Sequence, residues 1–298
     1  MINFQFGTFE SDMPGWFDWF SLLISLFVSV ISIYGGYKIS NNIYNREKED
    51  REIEDKKLDL AGFNLFKNSI EQLNSAVKNQ EDDILKYIEK QDFSLTFHQN
   101  VNVDFLQFID AKKIYLILGL EHEEKINSLF KRLYLLNDFR ISLRNEVRTY
   151  IKRYNELEKE FYSYRELLYL EYYRLCNTRS LSVKIENNKK MWNFDVKDIF
   201  MNEYSKLINQ ILSNTEIIEN NALKSRDKLV SEFVVKISEI SGKFIPEDID
   251  AIYINNLANK VNAAYIDMNE ITKSHLKAMK SYSDNLNITS EKIELFLK

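Results

Sequence analysis

Apolar side chains dominate one segment near the start of the chain, WFDWFSLLISLFVSVISIYGGY at 16–37. From Trp19 to Tyr37 it contains 19 residues without a charge, or about 28 Å of helix at 1.5 Å per residue. That length is enough to cross the hydrocarbon core of a bilayer. Trp16 and Trp19 at one end, and Tyr37 and Lys38 at the other, are residue types that anchor a span at the membrane interfaces. The pattern predicts a transmembrane helix over residues 16–37.

The charges that flank this segment predict its orientation. No Lys or Arg precedes it, whereas four basic residues follow between positions 38 and 51. The positive-inside rule then places residues 1–15 outside, as a short extracytoplasmic tail, and everything after the span in the cytoplasm. A cleaved signal peptide would need a basic start and a small-residue cleavage site, and neither is present. The only cysteine, Cys176, agrees with a cytosolic domain. The predicted location is the inner membrane, with a single pass.

Small residues recur within the span at steps of three or four, which places them on one side of the helix. Such a stripe lets two helices approach closely in lipid, so it favours self-association of the span and a homo-oligomer. The alternative is that Ser and Gly are simply tolerated in a single span, and a pore would need many copies. The residues of this small-residue stripe are Ser21, Ser25, Ser29, Ser32 and Gly36.

The strongest helical periodicity lies between Ile126 and Leu175. Of the fifteen heptad positions that form its apolar seam, thirteen are apolar, and only Arg140 and Glu171 interrupt it. A 3.5-residue repeat sustained over seven heptads predicts a long helix packed along its seam, about 75 Å in length.

Three further segments show helical spacing. A juxtamembrane helix carries its seam from Phe63 to Tyr87, and the span is expected to run straight into it. A looser amphipathic helix covers about 195–243, with a polar middle from 213 to 228 as its weak point. A fourth helix is predicted to start at Pro246, followed by a short separate helix after Thr289 and Ser290.

The connectors between these helices differ from them. Phe93, Leu95 and Phe97 alternate with polar residues, as do Leu181, Val183 and Ile185, and alternation favours strands. Pairing of the two connectors with each other is one arrangement of such strands. Residues 103–120 predict one or two short helices, with Gly119 as a C-cap. The predicted fold is all-α: a transmembrane helix (16–37), a juxtamembrane helix (38–90), a connector (91–120) and a cytosolic helical bundle or coiled coil (121–298). Antiparallel packing buries the seams most simply, and a parallel coiled-coil dimer is the alternative.

Composition supports long helices. The chain has 298 residues but only two prolines and seven glycines, and residues 15–245 contain no proline. Sandwiches, barrels, Rossmann domains and P-loop enzymes need many more turn glycines than this. A net charge of −5 with 45% apolar residues also argues against disorder.

Candidate chemistry is sparse. None of the three histidines, His98, His122 and His275, belongs to a known metal-binding or catalytic motif, and no second cysteine could complete a zinc site. His275 lies on the seam of the fourth helix, where a polar residue that sets helix register is the favoured interpretation. Because phosphate loops and inward-facing acid pairs are also missing from the sequence, we expect a non-enzymatic protein without a cofactor or metal.

Residues 131–153 are strongly basic, with seven Lys or Arg residues and two acids, Asp138 and Glu146. Four of the basic residues follow one another at steps of four along one helix face: Arg140, Arg144, Arg148 and Lys152. One interpretation is a docking surface for an anion, such as nucleic acid, lipid headgroups or an acidic partner. The other is a solvated face that pairs with acids on a neighbouring helix.

In layout the whole chain resembles two groups of bacterial proteins. One is the EzrA-type cell-division regulators, which have an N-out single span and a cytosolic helical rod. The other is the small membrane proteins of abortive-infection and phage-defence systems. The resemblance carries no motif and transfers no residue. It implies a membrane-anchored scaffold, sensor or effector that acts by association with lipid and protein partners, and phage defence is the setting that the second group implies. A pore-like effector and an anion-binding or nucleic-acid-binding module are the alternatives.

Overall fold

The computed structural model describes residues 15–91, 94–186, 189–219 and 222–298, and they are mostly helical, as predicted. The helices and strands are α1 (Trp16–Lys90), α2 (Ala111–Leu118), α3 (Glu123–Leu136), α4 (Phe139–Arg179), β1 (Ser180–Glu186), β2 (Lys189–Phe194), α5 (Ile199–Leu212), β3 (Ile218–Glu219), β4 (Ala222–Leu223), α6 (Arg226–Leu229), α7 (Val235–Gly242) and α8 (Ile249–Leu297). A π-helical turn at Val230–Val234 joins α6 to α7, and 3₁₀ turns lie at Asp104–Phe108 and Leu120–His122.

The chain divides into two compact units, and α1 contributes to both. The first unit contains residues up to 69 together with 105–124. In it, the rings of Phe66 and Phe105 lie 6.2 Å apart, and Lys113 forms an ion pair with Asp59 at 2.7 Å. Gly119 ends α2 with φ of +90°, and its backbone N–H donates to the Tyr115 carbonyl. Of the one or two short helices predicted for this region, α2 is present with its glycine cap, and a 3₁₀ turn precedes it.

The N-terminal part of α1 is long and apolar enough to cross a membrane, and its most apolar 18-residue window is not buried at all. Trp16, Trp19 and Tyr37 are each more than half exposed. From this segment the helix continues without a break to Lys90, as expected from the absence of proline and the helical spacing. Of the predicted extracytoplasmic tail, residues 1–14 lie outside the described part of the chain.

The second unit contains residues 70–104 and 125–298 and is organised around α4 and α8. These two helices pack antiparallel, because Phe139 meets Tyr282 near one end and Arg174 meets Asp250 near the other. Helix α5 and the α6–α7 segment complete the bundle around one half of this pair, and the last turns of α1 pack along the other half. The common core joins the inner faces of α4, α5, α7 and α8, with Phe161, Tyr204, Phe233 and Val261 among its fully buried members.

The seam predicted from 126 to 175 is buried, but it does not belong to one continuous helix. A turn at Asn137 and Asp138 separates α3 from α4. There Phe139 is buried in place of its neighbour Arg140, while Leu136 and Leu143 on either side keep their predicted positions. In the same way Tyr172 is buried in place of Glu171, between Leu168 and Leu175. At each polar interruption of the heptad pattern an adjacent aromatic residue therefore fills the seam, and the register on either side is unchanged.

Helix α8 differs from its predicted ends. It begins at Ile249 and not at Pro246, because the Asp248 carboxylate caps it by accepting from the backbone N–H groups of Asp250 and Ala251. It also runs to Leu297 as one helix, so the predicted separate C-terminal helix is wrong. Thr289 and Ser290 are buried within it, and the Thr289 hydroxyl donates to the Asn285 carbonyl one turn back.

The two alternating connectors do not pair with each other. Residues 180–186 form β1 as the alternation predicts, but β1 pairs antiparallel with β2, for example through Val183 and Trp192. In the other connector, Phe93 lies outside the described residues. The Gln80 side chain, on the seam of α1, binds the rest by donating to the Thr96 carbonyl and accepting from the His98 N–H. Hydrogen bonds to a side chain of α1, and not to the other connector, therefore hold residues 96–98.

The helix predicted over 195–243 is interrupted in its polar middle. Helix α5 ends at Leu212, and the short β3–β4 pairing follows, in which Ile218 pairs with Leu223. The Ser225 hydroxyl then caps α6 by accepting from the Lys228 N–H. Here polar side chains form hydrogen bonds with backbone groups. In a continuous helix those groups would instead be paired by the backbone hydrogen bonds between residues i and i−4.

Candidate functional site

A buried histidine joins three helices in the second unit. His275 of α8 is 2% exposed. Its Nε2 lies 2.7 Å from the hydroxyl of Tyr87 on α1, and its Nδ1 lies 2.9 Å from Oε1 of Glu146 on α4. The ring also stacks on Tyr150, with 4.0 Å between centroids and an angle of 5°. We call the set His275, Tyr87, Glu146, Tyr150 and Thr272 the His275 cluster.

The donors and acceptors of this cluster follow from its chemistry. An ionised Glu146 carboxylate can only accept, so Nδ1 carries the proton and Nε2 accepts from the Tyr87 hydroxyl. Tyr150 closes the cluster through its hydroxyl, 3.1 Å from Oγ1 of Thr272. Burial lowers the pKa of His275 below its ordinary value, and Glu146 opposes that effect only in part. The neutral ring is therefore the form that this environment favours.

The geometry of the His275 cluster suits it to hold helices and not to turn over a substrate. Because the ring is almost fully covered, a substrate has no access to either nitrogen in this structure. Each of its two nitrogens is instead committed to a different helix, so a sliding movement of α1 or α4 along α8 would break a hydrogen bond. The arrangement agrees with the register-setting role that the sequence suggests for His275.

Sequence reasoning found His275 but not its partners. Tyr87 appeared only as the last apolar position of the α1 seam, and Glu146 only as an acid within a basic segment. The available signal was that the mainly apolar seams of α1, α4 and α8 each contain a side chain with a polar tip: Tyr87, Tyr150 and His275. Buried polar groups need partners, and the partners of seam residues lie on other seams.

The basic residues predicted as a docking surface do lie together on α4. Arg144, Arg148 and Lys152 are exposed, and Arg140 is half-buried and donates to the Gln99 carbonyl at 3.4 Å. We call these four residues the basic face. Within the described part of the chain none of the four forms an ion pair with a carboxylate. Of the other interpretation, a solvated face that pairs with acids on a neighbouring helix, the described residues show the exposure to solvent but not the pairing.

The small-residue stripe is exposed along α1. The Ser25 hydroxyl donates to the Leu22 carbonyl at 2.9 Å, and the Ser29 hydroxyl donates to the Ser25 carbonyl at 2.7 Å. These bonds satisfy the hydroxyl protons within the helix itself. A second helix would therefore meet a smooth, narrow surface rather than free donors. Ser21 bonds its own helix in the same way, through the Asp18 carbonyl.

Sequence reasoning missed an ion-pair cluster. It lies where α4 ends and α8 begins, away from the His275 cluster. Arg179, the last residue of α4, makes two bonds to the Asp198 carboxylate at 2.8 and 2.9 Å and one to Asp248 at 2.8 Å. Both aspartates are N-caps, of α5 and α8 respectively. Burial raises the pKa of Asp248, but hydrogen bonds from Arg179 and from backbone N–H groups outweigh it and hold that pKa below its ordinary value.

One open cleft on the second unit contains few ionisable side chains. It lies between β2 and α5, has a volume of about 550 Å³ and is lined mainly by amides and hydroxyls, with Lys206 as its ionisable group. Among the described residues, no three side chains of His, Cys, Asp or Glu are grouped so that they could hold a metal ion. Cys176 is buried, and burial raises the pKa of its thiol to about 11.

Comparisons of the chain with protein-family models, with curated proteins and with solved structures each found no match.

Proposed function

We propose that this protein is a membrane-anchored helical scaffold or sensor that acts by association at the cytoplasmic face of a bacterial membrane. The observation that carries the proposal is the exposed apolar part of α1. An apolar helical surface of this length that no other part of the described chain covers is costly in water, and a bilayer is the environment that removes the cost. The flanking charges support an outside N-terminus and a cytoplasmic C-terminus.

The continuation of α1 beyond its apolar segment supports a sensing role, in which a shift of this helix along its axis alters contacts near its C-terminal end. The same helix that carries the apolar segment also carries Tyr87, which hydrogen-bonds His275. A shift of α1 along its axis would therefore act on a buried contact that also holds α4. The basic face offers a surface for a partner, in keeping with a protein that works by binding.

The experiment that tests the anchor is fractionation with topology reporters. We expect the full chain to stay in the membrane pellet after a carbonate wash, with a C-terminal fluorescent protein bright and a C-terminal alkaline phosphatase inactive. Leu26→Lys with Val30→Lys should move the chain to the soluble fraction, since each charge at a helix centre costs about 2.5–3.5 kcal/mol. The matched control is Leu58→Lys with Leu65→Lys, on exposed positions of α1 beyond the apolar segment. Wild-type chain in the soluble fraction would contradict the anchor.

A second prediction concerns the small-residue stripe. Ser25→Leu with Ser29→Leu should weaken self-association of the full chain in neutral detergent, because bulky side chains keep two helix backbones apart. Sedimentation should show a dissociation constant raised by about five- to tenfold, which corresponds to roughly 1 kcal/mol. Phe27→Leu with Ile31→Leu, on the opposite side of the helix, should leave it unchanged. If expression depolarises cells and the serine changes abolish that effect, the pore-like alternative is favoured over the scaffold.

A further inference from the structure

The basic face carries positive charge that no carboxylate of the described residues neutralises. Its exposed members, Arg144, Arg148 and Lys152, have no carboxylate partner within the described residues. The acid closest to them in the sequence, Glu146, is turned away and bonds His275 at 2.9 Å. The inward turn of Glu146 therefore leaves the outer side of this half of α4 cationic. Like charges four residues apart on a helix repel by about 0.2–0.5 kcal/mol per pair, and a bound anion would relieve that repulsion.

The spacing of the basic face suits a chain of regularly placed anions. Residues four apart on a helix are about 6 Å apart along its axis, so Arg140 to Lys152 form an inclined ridge that extends about 18 Å along the axis and turns by about 120° around it. Three of the four are arginines, whose planar guanidinium groups form bidentate hydrogen bonds with phosphate oxygens. A single small anion would occupy one or two of these groups, whereas a polyanion would occupy all of them.

The uncharged residues beside the basic face indicate which class of polyanion it suits. Ser142, Asn145 and Thr149 are exposed on the outer side of α4 and offer hydroxyl and amide groups, which are common phosphate and sugar contacts. Ile141 is the one large apolar residue exposed there within 140–152, at 62%. A helix that lies on a lipid surface inserts several large apolar residues. This composition favours a nucleic-acid backbone over a bilayer.

We propose that the basic face of α4 binds the phosphate backbone of nucleic acid, without regard to base sequence. Arg144 and Arg148 provide the central contacts, Arg140 and Lys152 extend them, and Asn145 and Thr149 donate hydrogen bonds at one side of this row. This binding activity goes beyond the anchored scaffold, and it would bring nucleic acid to the protein through a surface distinct from the His275 cluster.

The test is binding of a fluorescein-labelled 20-base-pair DNA duplex, and of single-stranded RNA of the same length, to the full chain in neutral detergent. Four phosphate contacts predict a slope of about −3.6 for log affinity against log salt, or about 150-fold weaker duplex binding at 200 mM than at 50 mM salt. Arg144→Glu with Arg148→Glu should weaken binding at least tenfold and reduce the slope to about −1.8. Two duplexes of different sequence should bind equally.

The matched control reverses two exposed lysines elsewhere, Lys206→Glu with Lys236→Glu, with the same change in net charge; it should bind as wild type. Circular dichroism should show equal helicity for all three proteins. Absence of salt-dependent binding by the wild type, or equal losses in both reversed variants, would overturn the proposal. A lipid contact would also overturn it. In that case a fluorophore attached at Asn145→Cys would be quenched by brominated phosphatidylglycerol in nanodiscs, and neither oligonucleotide would bind. That result would assign the basic face to lipid.

Discussion

Replacing His275 with alanine is expected to lower the free energy of unfolding by about 3 kcal/mol, since it opens a cavity beside Tyr150 and removes the hydrogen-bond partner of a partly buried carboxylate. For a chain of this size that corresponds to a fall of about 6–12 °C in the midpoint of helix loss on heating. The measurement is circular dichroism of the full chain in neutral detergent. His122→Ala is the matched control, because His122 is exposed, and it should change stability by less than about 0.5 kcal/mol.

The pH dependence of the same measurement identifies the hydrogen-bonded imidazole as the cause. Because burial depresses the pKa of His275, the unfolded chain binds a proton more readily than the folded one. Stability is therefore fully present above the unfolded pKa of about 6.5 and declines as pH falls through the interval down to the folded pKa. His275→Ala should lack this component of the decline. A variant as stable as wild type, with an unchanged pH profile, would mean that the cluster does not hold the helices.

The second large effect is expected at Arg179. Arg179→Ala should lower the free energy of unfolding by about 2–3 kcal/mol at neutral pH, because it removes three charge-assisted hydrogen bonds and leaves the Asp198 and Asp248 carboxylates close together. Arg148→Ala, which removes an exposed arginine without an ion pair, is the control and should be nearly neutral. Denaturant unfolding of the three proteins provides the comparison.

Two further measurements separate the ion pairs from a general loss of packing. In a double-mutant cycle, Arg179→Ala and Asp198→Ala should be coupled by at least about 1 kcal/mol. The depressed pKa of Asp248 also means that its share of the stabilisation is present above the ordinary aspartate pKa of about 3.9 and is lost as pH falls through the lower folded value. The deficit of Arg179→Ala should therefore shrink in acid. Additive single effects, or a deficit independent of pH, would contradict the electrostatic explanation.

The local pattern of apolar and polar residues predicted most of the helices but not where they begin and end. The periodicity from Ile126 to Leu175 identified the buried side of α3 and α4, but not the turn at residues 137 and 138, because Leu136 and Leu143 keep the same heptad phase across it. Pro246 was chosen as the start of α8 on its residue type. The start was decided instead by the Asp248 carboxylate, which both caps the helix and pairs with Arg179.

The candidate site was likewise predicted only in part from the sequence. The basic face was visible in the sequence, because four residues at steps of four must share one side of a helix. Whether acids from other helices neutralise it was not visible, since that depends on which helices are neighbours. The partners of His275 were hidden for the same reason: Tyr87 and Glu146 are 188 and 129 residues away from it along the chain.

The sequence by itself determined the helical class, the apolar segment at the start of α1, the sides of the helices that are buried and the row of basic residues on α4. Each of these follows from the period of the helix and from the chemistry of single residues, which act over a few positions of the chain. Only the tertiary structure decided that Glu146 turns inward to His275, that Gln80 binds the 94–98 connector and that Arg179 holds two helix caps. These contacts join residues far apart in sequence, and packing of the apolar seams brings them together, because a buried polar group is stable only where its partner lies within hydrogen-bond distance.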